Sequence, residues 1–312
     1  MEYEVNKGKV KISGIDITNP IIYDNDWFED VCDDELMGAI ASLYGNLMGI
    51  IVTRDMNDDF DIEDEMREAE ESVNRMKNSN MQYIPDPVYG AENKLSCPAG
   101  GKIEDTEYKR TEGSELIVKE AYKASTEKPL LVIIGGQPTT AATAYLQDSG
   151  ISDKVVIFHV SPTVYNGVDS WAAYICSQKF RWVEWGTKQW WHKEDEPLSP
   201  RILPQNKFKE LPENEVCNHL RDWTELPRWT SGDDPYYGDP GDGAPALWLL
   251  DPSVWSDIRK INTCYKRGEF ILKDTKDEDF DGLSAISTKK DMYKMGKIFF
   301  RVMKDPKVYH KN

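Results

Sequence analysis

The chain has 312 residues and carries 55 acidic against 38 basic side chains, a formal charge of −17. So acidic a surface argues against nonspecific binding to nucleic acid or to an anionic membrane. No apolar run approaches the roughly 20 residues that span a bilayer, and the N-terminal MEYEVNKGKVKISG lacks the apolar centre of a leader peptide.

The five cysteines (Cys32, Cys97, Cys176, Cys217 and Cys264) are odd in number and scattered, with no CxxC. They read as reduced thiols in a cytoplasmic protein. There is no internal repeat, and the length suits one large α/β domain or two small ones.

Residues 3–18 alternate weakly about an Asn6-Lys7-Gly8 turn, which predicts a small hairpin. Pro20 to Tyr23 is a short apolar run that reads as a buried strand. It ends in a burst of acids: Asp24, Asp26, Glu29, Asp30, Asp33 and Asp34. Helical spacing through Leu36, Ile40 and Leu43 predicts a helix over 34–47. The acids therefore lie at the carboxyl end of a strand, where ligands bind in open α/β sheets. Clustered carboxylates repel one another. A hard cation such as calcium, which takes about six to eight oxygen ligands, would neutralise them; a solvated acidic loop is the other reading. The loop is not an EF-hand, because Glu29 stands where the sharp turn requires glycine.

Met48 to Thr53 reads as a second buried strand, completing a strand–helix–strand unit of a parallel sheet. The acids from Asp55 to Asp64 read as a solvated helix start, since Ile62, Met66, Ala69, Val73 and Met76 follow with helical spacing and acids favour a helix N-terminus. Residues 81–95 predict a short strand turning at Gly90. The polar stretch 96–112 is placed to form part of a lid. A helix over 113–128 precedes the strand Pro129 to Ile134. A glycine turn, Gly135-Gly136-Gln137-Pro138-Thr139, then opens a helix of small residues. Alone it reads as an anion-binding helix start, but it lacks the Lys-Ser/Thr ending of a P-loop.

Lys154 to Val160 is a further strand, in which His159 reads as a buried, satisfied histidine rather than a ligand. Asp169 or Ser170 caps the next helix. Trp182, Trp185, Trp190 and Trp191 crowd into ten residues; Trp190 and Trp191 are candidates for stacking on a base or sugar, and His192 beside them for protonating a leaving group. Residues 196–212 read as a polar surface excursion, and 213–226 as an amphipathic helix. A glycine- and aspartate-rich loop (231–243) leads into a buried helix at Ala246 to Leu250. Asp277, Asp279, Asp281 and Gly282 imitate an EF-hand, yet Thr288 replaces its final glutamate, so a solvated turn is expected. A basic helix over 289–304 ends the chain.

Taken in order, these motifs resemble the nucleoside hydrolase family. Its first strand ends in DTDxGxDDxxA; here Asp24-Asn25-Asp26 is followed by a slightly longer loop and Asp33-Asp34, with Trp27 and Phe28 where the family keeps glycine. Ile84 to Ala91 with Leu95 resembles IPVxxGAxxPL, and Gly136 to Ala142 resembles GPLTNLA. The carboxylate before the Ala246 helix matches a late aspartate, with Gly241 where the family has histidine. Phe180 to Trp185, FRWVEW, resembles a distant, carbohydrate-associated branch.

The resemblance spans roughly residues 17–255. It implies a Rossmann-like α/β fold: a mostly parallel central sheet flanked by helices. The chain reads as a single domain over 1–312, with 1–18 an N-terminal hairpin and 256–312 a C-terminal extension. It further implies calcium-dependent hydrolysis of an N-glycosidic bond in a ribonucleoside or other small glycoside. One calcium would be held by Asp26, Asp34, the Thr139 carbonyl and Asp242, with Asp239 as the alternative to Asp242. Asp26 would be the general base, and Asp33 would bind ribose hydroxyls, with Asn57, Asn166 and Asp169 as further sugar contacts. Help for the leaving group would come from His192, from an aromatic stack, or from an unassigned acid. The family's members are often dimers or tetramers, which makes a homo-oligomer an expectation. Two other readings stand beside this one: a calcium- and carbohydrate-binding protein without turnover on the same scaffold, and a structural protein whose acidic loops are merely solvated.

Overall fold

The computed structural model describes residues 15–27, 32–56, 61–160, 168–185, 203–224, 237–238, 241–274, 284–290 and 292–310. The strands are β1 (Ile21–Asn25), β2 (Leu47–Val52), β3 (Pro87–Tyr89), β4 (Leu130–Ile134), β5 (Val155–Val160), β6 (Arg181–Trp185), β7 (Leu203–Pro204), β8 (Tyr237–Gly238), β9 (Trp255–Lys266), β10 (Glu269–Asp274) and β11 (Ser284–Lys290). The helices are α1 (Asp33–Tyr44), α2 (Ile62–Asn78), α3 (Glu112–Ala121), α4 (Thr139–Gln147), α5 (Ser170–Lys179), α6 (Gln205–Phe208), α7 (Glu215–Thr224), α8 (Ala244–Leu250) and α9 (Met292–Met303).

β1, β4 and β5 are buried along their whole length. That is why they read as unbroken apolar runs: a parallel sheet covered on both faces leaves no strand side for water. Side chains alternate between the faces. Tyr23, Ile133 and Phe158 pack with α1, α2, α7, α8 and α9, while Ile22, Ile134 and Ile157 pack with α3, α4 and α5. The structure is thus an α/β fold with a mostly parallel sheet between two helical layers.

The main sheet runs β10-β9-β11-β6-β5-β4-β1-β2-β3. From β3 to β6 every neighbour pair is parallel. The chain winds outward one way from β1 through β2 and β3, then crosses back to β4 and continues through β5 and β6. The direction therefore reverses between β1 and β4, which opens a crevice at their carboxyl ends.

Several boundaries differ from the sequence reading for local reasons. α1 stops at Tyr44 instead of 47, because Gly45 takes a left-handed conformation (φ 62°) and ends it. α3 stops at Ala121 instead of 128. Residues 255–290, read only as an extension, form three strands. β9 and β10 are an antiparallel hairpin turning at Arg267-Gly268, both with positive φ, and β11 joins them to β6. The charges spread through these strands hide their alternation. Part of the excursion over 196–212 is core: Leu203, Phe208 and Leu211 are buried, and the Phe208 and Phe300 rings meet edge-on at 5.2 Å.

The expected hairpin over 1–18 and the EF-hand-like turn at 277–282 fall largely or wholly outside the described residues. Among the described residues no helix is long and apolar enough to cross a membrane. All five cysteines are free thiols.

Candidate functional site

The crevice between β1 and β4 is floored by Gly135 and Gly136, which end β4 and turn toward α4. An ideal Cβ on Gly135 would lie 2.2 Å from Asn25 Oδ1 and 2.4 Å from Asp242 Oδ2. One on Gly136 would lie 2.5 Å from Asp26 Oδ2. Any side chain at either position would occupy space already taken by those groups. The two glycines therefore let Asn25 and Asp26, from the end of β1, converge with Asp242, from the turn before α8. Asp242 is held there because α8 packs its apolar side, including Leu247 and Trp248, into the core.

Asp33 enters the same region from the start of α1. Its Oδ1 accepts from the Asp34 backbone N–H at 2.9 Å and its Oδ2 from the Tyr23 hydroxyl at 3.1 Å. The turn before α8 lies against it: an ideal Cβ on Gly243 would be 2.7 Å from the Asp33 carbonyl, and one on Gly241 3.7 Å from Asp33 Oδ2. Gly241, which stands at the family's histidine position, has φ +33°, a conformation L side chains rarely adopt. Asp26, Asp33, Asp34 and Asp242 are all buried.

Burying carboxylates disfavours their charged form. Burial pushes the Asp33 carboxyl up to about 7, with the Glu35 charge adding to it. Asp24, on the opposite sheet face, is raised well above the usual range by burial and then by the Asp26 charge, although its hydrogen bond to Thr53 opposes this. The Thr53 hydroxyl donates to Asp24 Oδ1 at 2.5 Å and pairs with the Thr140 hydroxyl at 2.6 Å, which in turn accepts from the Ala91 N–H. This chain ties β1, β2, the β3 turn and α4 together beneath the site. It also explains Gly90, where a Cβ would lie 2.4 Å from Thr53 Oγ1.

Trp27, in the family's glycine loop, has a left-handed backbone (φ 58°), strained for a bulky residue. Its buried ring meets Tyr23 edge-on at 5.9 Å and its indole N–H reaches the Ile51 carbonyl at 3.4 Å. Packing thus holds a turn that the family leaves to glycine.

Glu65 was not singled out from the sequence. It lies on the buried face of α2 and accepts the Asp55 N–H at 2.7 Å. Its Oε2 has no hydrogen-bond partner among the described residues. Burial, with the Asp26 and Asp55 charges adding, pushes it up to about 8. Asn25 and Tyr23 were also missed. The spacing of Glu65 with Ile62, Met66 and Ala69 was the available signal for the first, and strand alternation placing Tyr23 and Asn25 on one face for the others.

Thr139 and Asp169 are placed differently. Asp169 caps α5 through the Ala172 N–H and also accepts the Leu95 N–H and the Thr139 hydroxyl. Its carboxylate thereby anchors the start of the 96–112 loop to α5, and Trp171 adds a bond from its indole N–H to Thr106. Thr139 opens α4 directly after Pro138, its hydroxyl bonded to Asp169. His159 is buried, its Nε2 3.2 Å from the Gly136 carbonyl oxygen, and burial pushes it down to about 3. Asn57, Asn166, Trp190, Trp191, His192 and Asp239 lie outside the described residues.

Among the described residues no three His, Cys, Asp or Glu side chains stand close enough to form a ready-made metal cage. The chemistry of the donor set nevertheless suits a hard cation: Asp242 lies over Gly135, Asp26 over the adjacent Gly136, Asp33 beside the turn that carries Asp242, and the donors are all oxygen. A bound ion would draw these carboxylates together and relieve their repulsion.

Comparison with solved structures yields the nucleoside hydrolase fold. A plant nucleoside hydrolase matches with a TM-score of 0.62 at 11% identity, covering 93% of this chain and 100% of its own. The purine-preferring ribonucleoside hydrolase from Gardnerella vaginalis matches with 0.62 at 16% identity, covering 94% and 100%. An inosine-guanosine nucleoside hydrolase matches with 0.61 at 14% identity, covering 91% and 98%. No family model matches the sequence, and no curated protein matches it.

Two outcomes follow from this geometry. Gly135→Ala will force Asn25 and Asp242 apart; overpacking of this kind typically costs about 1–3 kcal/mol, and a lower melting temperature together with weaker calcium binding is expected. Glu65 holds a proton in the folded chain that the unfolded chain releases above its ordinary carboxylate range. Its contribution is therefore complete at low pH and is lost as pH rises toward about 8. Melting temperatures measured in chelator across that window will fall less steeply for Glu65→Gln than for the wild type.

Proposed function

We propose that this chain hydrolyses the N-glycosidic bond of a ribonucleoside or related small glycoside, and that it does so with calcium bound. The observation that carries this reading is the convergence of Asp26, Asp33 and Asp242 at the β1/β4 switch point, over two glycines at which any side chain would collide with these groups. The shared fold supports it, since three of the matched proteins are nucleoside hydrolases by name.

Asp26, Asp34, Asp242 and the Thr139 backbone carbonyl are the proposed metal ligands. The ion's contribution is to lower the pKa of a bound water and fix its position. Asp26 takes the proton from the attacking water as its oxygen bonds to the anomeric carbon. The bond from that carbon to the base nitrogen breaks through an oxocarbenium-like state, and its electron pair leaves with the base. Asp33 holds ribose hydroxyls, and each of its oxygens, already accepting one bond, keeps capacity for a second. His192 is the proposed donor of the leaving-group proton, with Trp190 and Trp191 stacking on the base and Asn57, Asn166 and Asp169 as further sugar contacts. The site is read as that of a cytoplasmic enzyme and a homo-oligomer.

A second reading, a calcium- and sugar-binding protein without turnover, draws on Gly241. Its left-handed backbone resists the side chain that the family uses to help the leaving group.

Hydrolysis of a nitrophenyl riboside, with calcium and with chelator, separates the two. The first reading expects calcium-dependent release of nitrophenol, reduced in Asp26→Asn by about 10²–10⁴-fold, the size of a general-base contribution. Calcium-induced stabilisation without turnover selects the binding reading, and neither effect would falsify both.

A further inference from the structure

Beneath the proposed sugar site runs a hydrogen-bond chain that the family resemblance does not supply. The Asp26 backbone N–H donates to Asn25 Oδ1 at 3.0 Å. The Asn25 side-chain N–H donates to the Tyr23 hydroxyl oxygen at 2.8 Å. The Tyr23 hydroxyl donates to Asp33 Oδ2 at 3.1 Å. All donors point the same way, from the end of β1 to the start of α1, and such aligned chains strengthen one another.

Every group in the chain is buried. Asn25 and Tyr23 are fully so, and Tyr23 is wedged edge-on against Trp27. Gly135 closes the opposite side, since any Cβ there would collide with Asn25 Oδ1. The phenol cannot swing aside without vacating core, and Asn25 cannot flip its amide without presenting N–H to N–H at Asp26. The arrangement is therefore a fixed link from the Asp26 backbone to the Asp33 carboxylate, two residues seven positions apart in sequence.

We infer that Tyr23 is a positioning residue that sets Asp33 for contact with the sugar's 2-hydroxyl, in register with the end of β1, through the Asn25 amide. The inference deepens the glycosidase reading and rests on it. Tyr23 itself does not touch the substrate. It acts through Asp33, so its effect must depend on the substrate hydroxyl that Asp33 binds.

The test compares Tyr23→Phe with wild type on a nitrophenyl riboside and its 2-deoxy counterpart, in calcium, with melting temperature recorded for each protein. The inference expects KM for the riboside to rise about 5–30-fold, with kcat within about threefold. KM for the 2-deoxyriboside should change little. Adding Tyr23→Phe to Asp33→Asn should raise KM no further, because the group being positioned has already been altered. Should Tyr23→Phe not fold, Asn25→Ala removes the donor to the hydroxyl while keeping the ring, and the same selective rise in KM is expected at smaller size. Equal changes for both ribosides, or additive effects in the double variant, overturn the positioning role and leave the glycosidase reading standing. A wild type that neither binds nor cleaves either riboside overturns the glycosidase reading, and this inference with it.

Discussion

The site depends on the absence of two side chains. At Gly135 and Gly136 the sheet ends with nothing projecting, and the vacated volume is filled by Asn25, Asp26 and Asp242. A single methyl group at either position would overlap them. In a close-packed interior that overlap cannot be absorbed by empty space. β1 and β4 flank the point where the winding of the sheet reverses, and the carboxyl ends at such a point are where an α/β sheet takes its ligand.

Holding several buried acids in one place is costly. The direction of the perturbations is uniform: Asp24, Asp33 and Glu65 are all held above the ordinary carboxylate range, and burial is the leading cause for each. A fold that needed only a core would fill these positions with apolar residues at less expense. Instead the surroundings are built to keep the acids. Thr53 and Thr140 brace Asp24, Tyr23 and the Asp34 N–H brace Asp33, and the Asp55 N–H braces Glu65. Clusters of perturbed groups in a crevice are characteristic of functional sites.

Much of the scaffold was legible because its signals are strong. Fully buried parallel strands have no option but to be apolar runs, and β1, β2, β4 and β5 were read within a residue or two. The amphipathic α2 fell where its spacing put it, with Ile62, Met66, Ala69, Val73 and Met76 all buried. The β9–β11 strands escaped notice because they alternate with charge, and their sheet membership depends on β6, a partner far away in sequence. Asp26, Asp33 and Asp34 stood out as acids at the carboxyl end of a strand, and Asp242 as a carboxylate in a glycine-rich loop before a buried helix. Tyr23 and Asn25 did not, because one reads as strand filler and the other as a spacer between aspartates; only the fold reveals that they share a face. Glu65 was hidden among neighbouring acids that are solvated, and burial alone distinguishes it. Thr139 was assigned by motif alone, and it opens α4.

The central claim is that the carboxylates over Gly135–Gly136 form a cation site. Its most direct test is calorimetric titration of calcium into protein stripped with chelator, comparing wild type with Asp242→Asn. The account predicts saturable binding of one ion per chain in the wild type and its loss, or weakening by at least about tenfold (roughly 1.4 kcal/mol), in the variant. Absence of binding in the wild type, or equal affinity in the variant, would contradict it.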